Sequence, residues 1–206
     1  MNRVLLLLIL VGQIVTAQTK LNDKEINLLT QQVKENAKKT KTILSDFVQY
    51  KHLDFLTNDI KTEGSLIYKS PNFIKWEYKK PYNYIAIFKG NTIHINDNGD
   101  KNSFDLSSNK NFKQFNKLIV SSISGNLFSD TDFNIDYFKL GNKYLVKFEP
   151  KNESFKSMIN SFELFFDNKT FDVIEIKMNE SDTDYTKISF INKKLNQPVS
   201  NDAFTN

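Results

Sequence analysis

The chain contains no cysteine. No disulfide braces the fold and no thiolate is available as nucleophile or metal ligand. There is also no lipid-accepting cysteine, so the protein is not itself a lipoprotein. Arginine is nearly missing: Arg3 is the single one, and the formal charge of +4 rests on lysine. Without the residue that dominates phosphate and base recognition, and without a basic stripe, nucleic acid is not an expected partner. Lys38-Lys39 with Lys41, Lys79-Lys80 and Lys193-Lys194 read as ordinary solvated surface. Glycine is scarce, at six, and forms no phosphate-cradling loop, dinucleotide fingerprint or nucleophile elbow. Two histidines, His52 and His94, sit in separate segments. His52 and Asp54 share one strand face, but a metal centre needs more ligands at defined spacing, and none is expected. Carboxylates are plentiful, yet nothing singles out a catalytic pair. No enzyme activity and no cofactor are expected, and a secreted hydrolase is the outsider. The Asn-x-Ser/Thr triplets at Asn152, Asn168 and Asn179 are chance in an asparagine-rich chain.

Long apolar runs are absent as well, with one informative exception at the start. Met1-Asn2-Arg3 is a positive lead, Val4 to Val11 is uninterrupted apolar sequence, and Val15-Thr16-Ala17 ends on a small residue. This pattern predicts a secretory signal peptide over residues 1–17, cut after Ala17. The run is too short to span a bilayer, which takes roughly 20 apolar residues. An exported, soluble mature protein of residues 18–206 is expected, folded as one domain and as a monomer.

What the chain has in abundance is aromatic side chains, with 18 Phe and 8 Tyr, and period-two patterning. Leu21 to Thr42 reads as a helix capped by Asn22 or Asp23, with Ile26, Leu29, Val33 and Ala37 as its apolar stripe. Alternation then runs through Phe47–Leu56, Ile60–Lys69, Phe73–Tyr78, Tyr82–Lys89, Thr92–Asn96 and Asn102–Leu106. Phe112, Phe115, Leu118 and Ile119 follow helical spacing and predict a second amphipathic helix. Strands resume at Phe133–Lys139, Lys143–Glu149, Ile159–Phe166, Phe171–Asn179 and Tyr185–Asn192, with Lys151–Ser157 irregular. Short turns at Lys89-Gly90-Asn91, Asp97-Asn98-Gly99-Asp100, Leu140-Gly141-Asn142 and Asp167-Asn168-Lys169 make neighbours antiparallel.

The fold expected is mainly β with helices (α+β): about eleven antiparallel strands. Aromatic and branched side chains fall in phase, as in Ile74, Trp76 and Tyr78, or Ile93 and Ile95, so the sheet has one apolar face. Native twist curls so wide a sheet and makes that face concave. Two readings stay open. The two helices fill the concavity and complete a packed core, or they underfill it and leave an apolar cavity for a ligand.

The linear order is informative. A helix is followed by Phe47-Val48-Gln49, then by Gly64-Ser65-Leu66-Ile67-Tyr68-Lys69-Ser70-Pro71-Asn72-Phe73-Ile74-Lys75-Trp76, Pro81 and the turn Lys89-Gly90-Asn91-Thr92. After Leu106 come a mid-chain helix, the Asn134-Ile135 strand, the Leu145–Pro150 strand, the Asp167-Asn168-Lys169-Thr170 turn and a closing strand ending near Phe204. This order resembles the LolA family of periplasmic outer-membrane lipoprotein carriers. The resemblance implies an unclosed barrel of eleven antiparallel strands whose helical lid covers a hydrophobic cavity for lipoprotein acyl chains. It further implies an inner-membrane ABC-type release complex and an outer-membrane acceptor as partners. On that footing Phe47, Leu66, Tyr68, Ile74, Trp76, Tyr78, Ile93, Ile95, Val146, Phe148, Leu164 and Ile176 are expected to line the cavity. The lid residues are Ile26, Leu29, Val33, Phe112, Phe115, Leu118 and Ile119. A charge at Ile74 or Trp76 is expected to abolish acyl binding and spare the fold. Many members carry arginine before the proline, where it hydrogen-bonds the lid; Ser70 stands there, so the latch is expected to be weaker or elsewhere. The sequence also ends soon after Phe204, and the extra C-terminal segment of some members is not expected. A sibling carrier or sensor for another lipid, glycolipid or pigment precursor is the alternative.

Overall fold

A computed structural model describes residues 18–106 and 132–205. The expected second helix, with Phe112, Phe115, Leu118 and Ile119, lies outside the described residues. Twelve strands form one open antiparallel sheet. They are β1 (Thr19–Lys20), β2 (Thr42–His52), β3 (Ile60–Lys69), β4 (Phe73–Lys80), β5 (Tyr84–Lys89), β6 (Thr92–Asp97), β7 (Asp100–Asp105), β8 (Phe133–Leu140), β9 (Lys143–Pro150), β10 (Ser161–Asp167), β11 (Val173–Asn179) and β12 (Tyr185–Leu195). The strand beyond the expected eleven is β1, whose two residues pair Thr19 with Lys139 and Lys20 with Phe138 on β8. So short a strand carries no readable alternation.

Strands β2 to β7 form one meander and β8 to β12 another, and the two join where β12 pairs with β2. That seam is long, from Tyr185 opposite His52 to Leu195 opposite Ile43. Helix α1 (Asp23–Lys39) crosses from β1 to β2. Asn22 caps it in a reciprocal box with Glu25, with both bonds at 3.0 Å, a device worth about 1 kcal/mol. Asp23 and Glu25 in the first turn and Lys38 and Lys39 in the last complement the helix dipole. One helical turn apart, Leu29 and Val33 are the residues it buries. The irregular Lys151–Ser157 stretch contains a short helix, α2 (Glu153–Lys156), which anchors through buried Phe155. The closing segment is not a strand as expected: beyond Leu195 the chain ends in a 3-10 turn, Asn201–Phe204. Lys69 Nζ holds it by donating to Val199 O at 2.8 Å and Asn201 Oδ1 at 2.6 Å. Phe204 packs on Phe73 with ring centroids 5.5 Å apart.

The apolar face carries two packed clusters. One lies beneath α1 and gathers Leu29, Val33, Phe47, Val146, Phe148, Phe162, Leu164 and Ile176. The other lies on the β3–β6 half with Leu66, Tyr68, Ile74, Ala86, Phe88 and Ile93. Trp76 and Phe190, both partly buried, touch each cluster and join them. The sheet therefore has an interior on both flanks and a seam down the middle, along β12, β2 and β3.

Candidate functional site: an apolar cavity at the seam

The seam begins with the residues of the family-like segment, and their register explains why those residue types occur there. Phe47 on β2 stands opposite Gly64 on β3, and Gly64 stands opposite Tyr78 on β4. A side chain at position 64 would collide with the Phe47 ring and with the Glu77 carbonyl. Its absence lets Phe47 lie across β3 to meet Trp76 at 4.5 Å and the edge of Tyr78 at 5.4 Å between ring centroids. Tyr78 Oη donates to Gln49 Oε1 at 3.0 Å, satisfying a polar atom on an apolar floor. Burial pushes the Tyr78 phenol up to about 12.

Above this floor lies a cavity of about 290 Å³. Its walls come from both halves of the sheet. Leu66, Trp76, Tyr78, Tyr84, Ala86, Phe88 and Ile93 form one side, and Phe162, Phe166, Phe171, Val173, Ile176 and Met178 the other. Ile43, Ile188, Phe190 and Leu195 line the seam between them. Val33, Asn36, Ala37 and Thr40 form the roof, at the C-terminal end of α1. Asn36 Nδ2 pins that end by donating to Thr170 O, in the β10–β11 turn, at 2.6 Å. The turn is itself set by Asp167 Oδ1, which accepts from the Thr170 and Lys169 amides. Those two bonds, Thr170 first, lower the Asp167 pKa. Ser70, at the position of the family arginine, donates its amide to Lys41 O just beyond the helix.

Of the residues expected to line a cavity, Leu66, Trp76, Tyr78, Ile93 and Ile176 do so. Phe47, Val146, Phe148 and Leu164 are buried in the cluster beneath α1, and Tyr68 and Ile74 in the other, while Ile95 packs partly buried against the latter. All lie on the apolar face, but other side chains cover them. Ile74 is completely buried, so a charge there disrupts packing first, against the expectation that the fold is spared. Among the residues expected to form a lid, Val33 faces the cavity, Leu29 is fully buried and Ile26 packs partly buried on the same cluster.

The polar members of the wall escaped the sequence reading: Asn36, Thr40, Ser45, Gln49, Asp172 and Lys193. Lys193 is a correction, since the Lys193-Lys194 pair reads as solvated surface. The cause is a β-bulge. Ile191 pairs with Asp46 and Lys194 with Leu44, so two residues of β12 oppose Ser45 alone. Asn192 takes φ +54, a left-handed conformation that asparagine tolerates. The slip exchanges faces. Ile188 and Phe190 line the cavity, and strict alternation would continue with Asn192 and Lys194. Lys193 and Leu195 take their place. The bulge is well braced: Ser45 Oγ donates to Ile191 O at 2.9 Å and Asn192 Nδ2 to Asp46 Oδ2 at 2.9 Å. An asparagine interrupting an apolar alternation is the signal that marks such a bulge in sequence. Lys193 Nζ donates to Val173 O. Burial lowers its pKa, and nearby Asp172 opposes that.

Elsewhere, His52 Nδ1 meets Asp59 Oδ1 at 2.8 Å and its ring stacks on Tyr185; Asp54 instead takes part through its amide, which donates to Asp184. Among the described residues no group of three ligating side chains forms, and no described helix is long and apolar enough to cross a membrane.

Comparison with known proteins agrees with this architecture. The family described as outer membrane lipoprotein carrier protein LolA matches residues 38–206. An outer-membrane lipoprotein carrier protein of Francisella tularensis subsp. novicida is 30% identical over 153 residues, covering 71% of this chain and 68% of the relative. Among solved structures, a DUF1329 family protein from Desulfovibrio piger superposes with a TM-score of 0.50 at 10% identity, covering 88% of this chain and 96% of that one. MucB does so with a TM-score of 0.50 at 11% identity, covering 90% of this chain and 64% of that one. At such identities the two structures establish a shared fold and nothing more. By the extent of the sequence match, the chain belongs to the LolA family of outer membrane lipoprotein carrier proteins.

Proposed function

We propose that the protein is a periplasmic carrier that takes acyl chains of lipoproteins from the inner membrane and hands them to the outer membrane. Residues 1–17 serve as its export signal, and residues 18–206 form the single carrier domain. The observation that supports this most is the apolar cavity at the seam, placed between two packed clusters and roofed by α1 in a LolA-family sheet.

The physics of the cargo sets the requirements. Each methylene moved from water into an apolar site gains about 0.8 kcal/mol, so a long acyl chain does not cross water unshielded. A bilayer offers the same gain, and a cavity therefore cannot win chains from a membrane by hydrophobicity alone. Extraction must be driven by a partner, in the family's case an inner-membrane ABC-type complex. Delivery needs an acceptor that binds the chains more tightly. Neither step makes or breaks a covalent bond in the carrier, so no catalytic group and no cofactor are called for. The cavity of about 290 Å³ is at the lower bound of ordinary small-molecule pockets, about 300–1,000 Å³. Loading several acyl chains thus requires the roof to move. The end of α1 above the cavity is suited to that, because a surface hydrogen bond from Asn36 to Thr170 pins it, and such a bond is worth only about 1 kcal/mol.

The test is binding of a synthetic triacylated lipopeptide by the purified mature protein, compared with Ala86→Phe, which pushes a ring into the cavity from β5. Saturable binding that Ala86→Phe weakens at least tenfold, with its near-ultraviolet circular dichroism preserved, supports the reading. Equal binding by a folded Ala86→Phe protein places the acyl chains elsewhere and refutes it.

A further inference from the structure

We propose that Lys193 is the polar anchor of the cavity, and that it selects acyl ligands whose head presents an ester or amide carbonyl oxygen. The proposal rests on the acyl-binding reading and specifies which end of the ligand the protein holds.

The argument begins with a cost. On the apolar face of the sheet a lysine is out of place, since its ammonium loses hydration that apolar side chains do not replace. Regular alternation along β12 would not put it there. The bulge at Asn192 and Lys193 does, and the fold maintains it with a left-handed residue and two side-chain hydrogen bonds, from Ser45 and from Asn192. A bulge that turns a charged residue inward is a device for aiming a side chain.

The environment of the ammonium then narrows the ligand. An ammonium has three N–H donors, and Lys193 gives one to the carbonyl of Val173. Asp172 also lines the cavity and acts electrostatically on Lys193. The carboxylate offsets the positive charge locally, which disfavours a fully anionic head compared with a neutral acceptor. A carbonyl oxygen meets both conditions: it accepts a donated hydrogen and adds no charge. Apart from Asp172, the wall next to Lys193 is apolar, with Val173, Phe190 and Leu195 beside it in sequence or strand. A ligand with its carbonyl at Lys193 lays its hydrocarbon along the seam towards Leu66, Trp76 and Ile176. Acylated glycerol and acylated amines have this construction. The lysine would thus set register, holding the head at the β12 end while the chain fills the groove.

The experiment compares two probes that differ by one oxygen, monopalmitoylglycerol with an ester carbonyl and monohexadecylglycerol with an ether. Displacement of a bound fluorescent fatty acid reads both affinities. The variants are Lys193→Met, which keeps the length of the stem without donors, and Lys193→Gln, which keeps a neutral donor. Thermal melting checks that each is folded; removing a desolvated charge is expected to leave the melting temperature unchanged or raised. The wild type should bind the ester about tenfold more tightly than the ether, the gain expected of a hydrogen bond from a charged donor. Lys193→Met should bind the two equally, and Lys193→Gln should recover part of the preference. Equal binding of ester and ether by the wild type, or an ester preference that survives in Lys193→Met, overturns the anchor and leaves the cavity reading standing. A wild type that binds neither probe overturns the anchor, while the triacylated lipopeptide test decides the acyl-binding reading separately.

Discussion

Gly64 carries a requirement that the cavity floor cannot relax. A Cβ built on it would lie 2.1 Å from the Glu77 carbonyl oxygen and 2.5 Å from Cζ of Phe47. Ordinary contact starts at 3.4 Å, so the oxygen has to retreat by about 1.3 Å. The obstacle is backbone on the paired strand β4, at a register irregularity between Glu63 and Gly64, and it cannot rotate away. Phe47, 1% exposed, is packed against Trp76 and Tyr78. Overpacking of this kind costs about 1–3 kcal/mol, and more when backbone is forced to shift; Gly64→Ala is placed at about 3 kcal/mol. For a domain of this size that is a fall of roughly 6–12 °C in melting temperature. Gly90→Ala is the control. Gly90 has φ +62 but nothing within 4 Å, so alanine there meets only the left-handed strain of about 1–2 kcal/mol. Thermal unfolding followed by circular dichroism on the three proteins decides the matter. Gly64→Ala should fall furthest and lose affinity for acyl probes, because Phe47, Trp76 and Tyr78 shift together. A Gly64→Ala protein as stable as Gly90→Ala or more so would refute the tight approach of β3 to Phe47 and β4.

Ile74→Glu is expected to abolish soluble folded protein, since a charge at a fully buried site without a partner costs several kcal/mol; soluble yield and near-ultraviolet circular dichroism show it. Asn36→Ala should lower stability by no more than about 1 kcal/mol yet speed hydrogen exchange in the last turns of α1 several-fold, an effect that exchange followed by mass spectrometry resolves. Tyr78 gives a pH signature. Its folded pKa, raised by burial to about 12, lies above the value of about 10 in the unfolded chain, so its stabilising share is complete below pH 10 and is lost as pH rises towards 12. Denaturant titrations across that window should show the wild type losing stability more steeply than Tyr78→Phe, and parallel curves would contradict the burial.

The alternation of apolar residues made most of the sheet legible, because each strand has one wet and one covered face. It located Leu66, Trp76, Tyr78, Ile93 and Ile176 on the apolar face where the cavity lies. It could not separate them from Val146, Phe148 or Leu164, which share that face. Whether a residue faces space or another side chain depends on what crosses above it, and α1 crosses only one flank. The pattern also breaks wherever strands slip. At Asn192 one extra residue exchanged inside for outside and concealed Lys193. Between Phe165 and Phe166 a similar irregularity makes Val173 a wall residue, where plain alternation from Ile176 selects Ile174. The polar wall residues Asn36 and Gln49 fall in phase with Val33 and Phe47, but being polar they do not register in a search for apolar side chains. Gly64 was visible as part of a motif, but its reason, the Phe47 ring lying across it, is a three-strand property.

The most direct test of carriage is to purify the protein from the periplasm of its own host and weigh the intact complexes by native mass spectrometry, identifying what is released. Carriage of lipoproteins predicts bound triacylated protein in amounts approaching one per carrier, lost in Ala86→Phe. A free lipid, a glycolipid or a pigment precursor in its place, or a protein that is always empty, would contradict it.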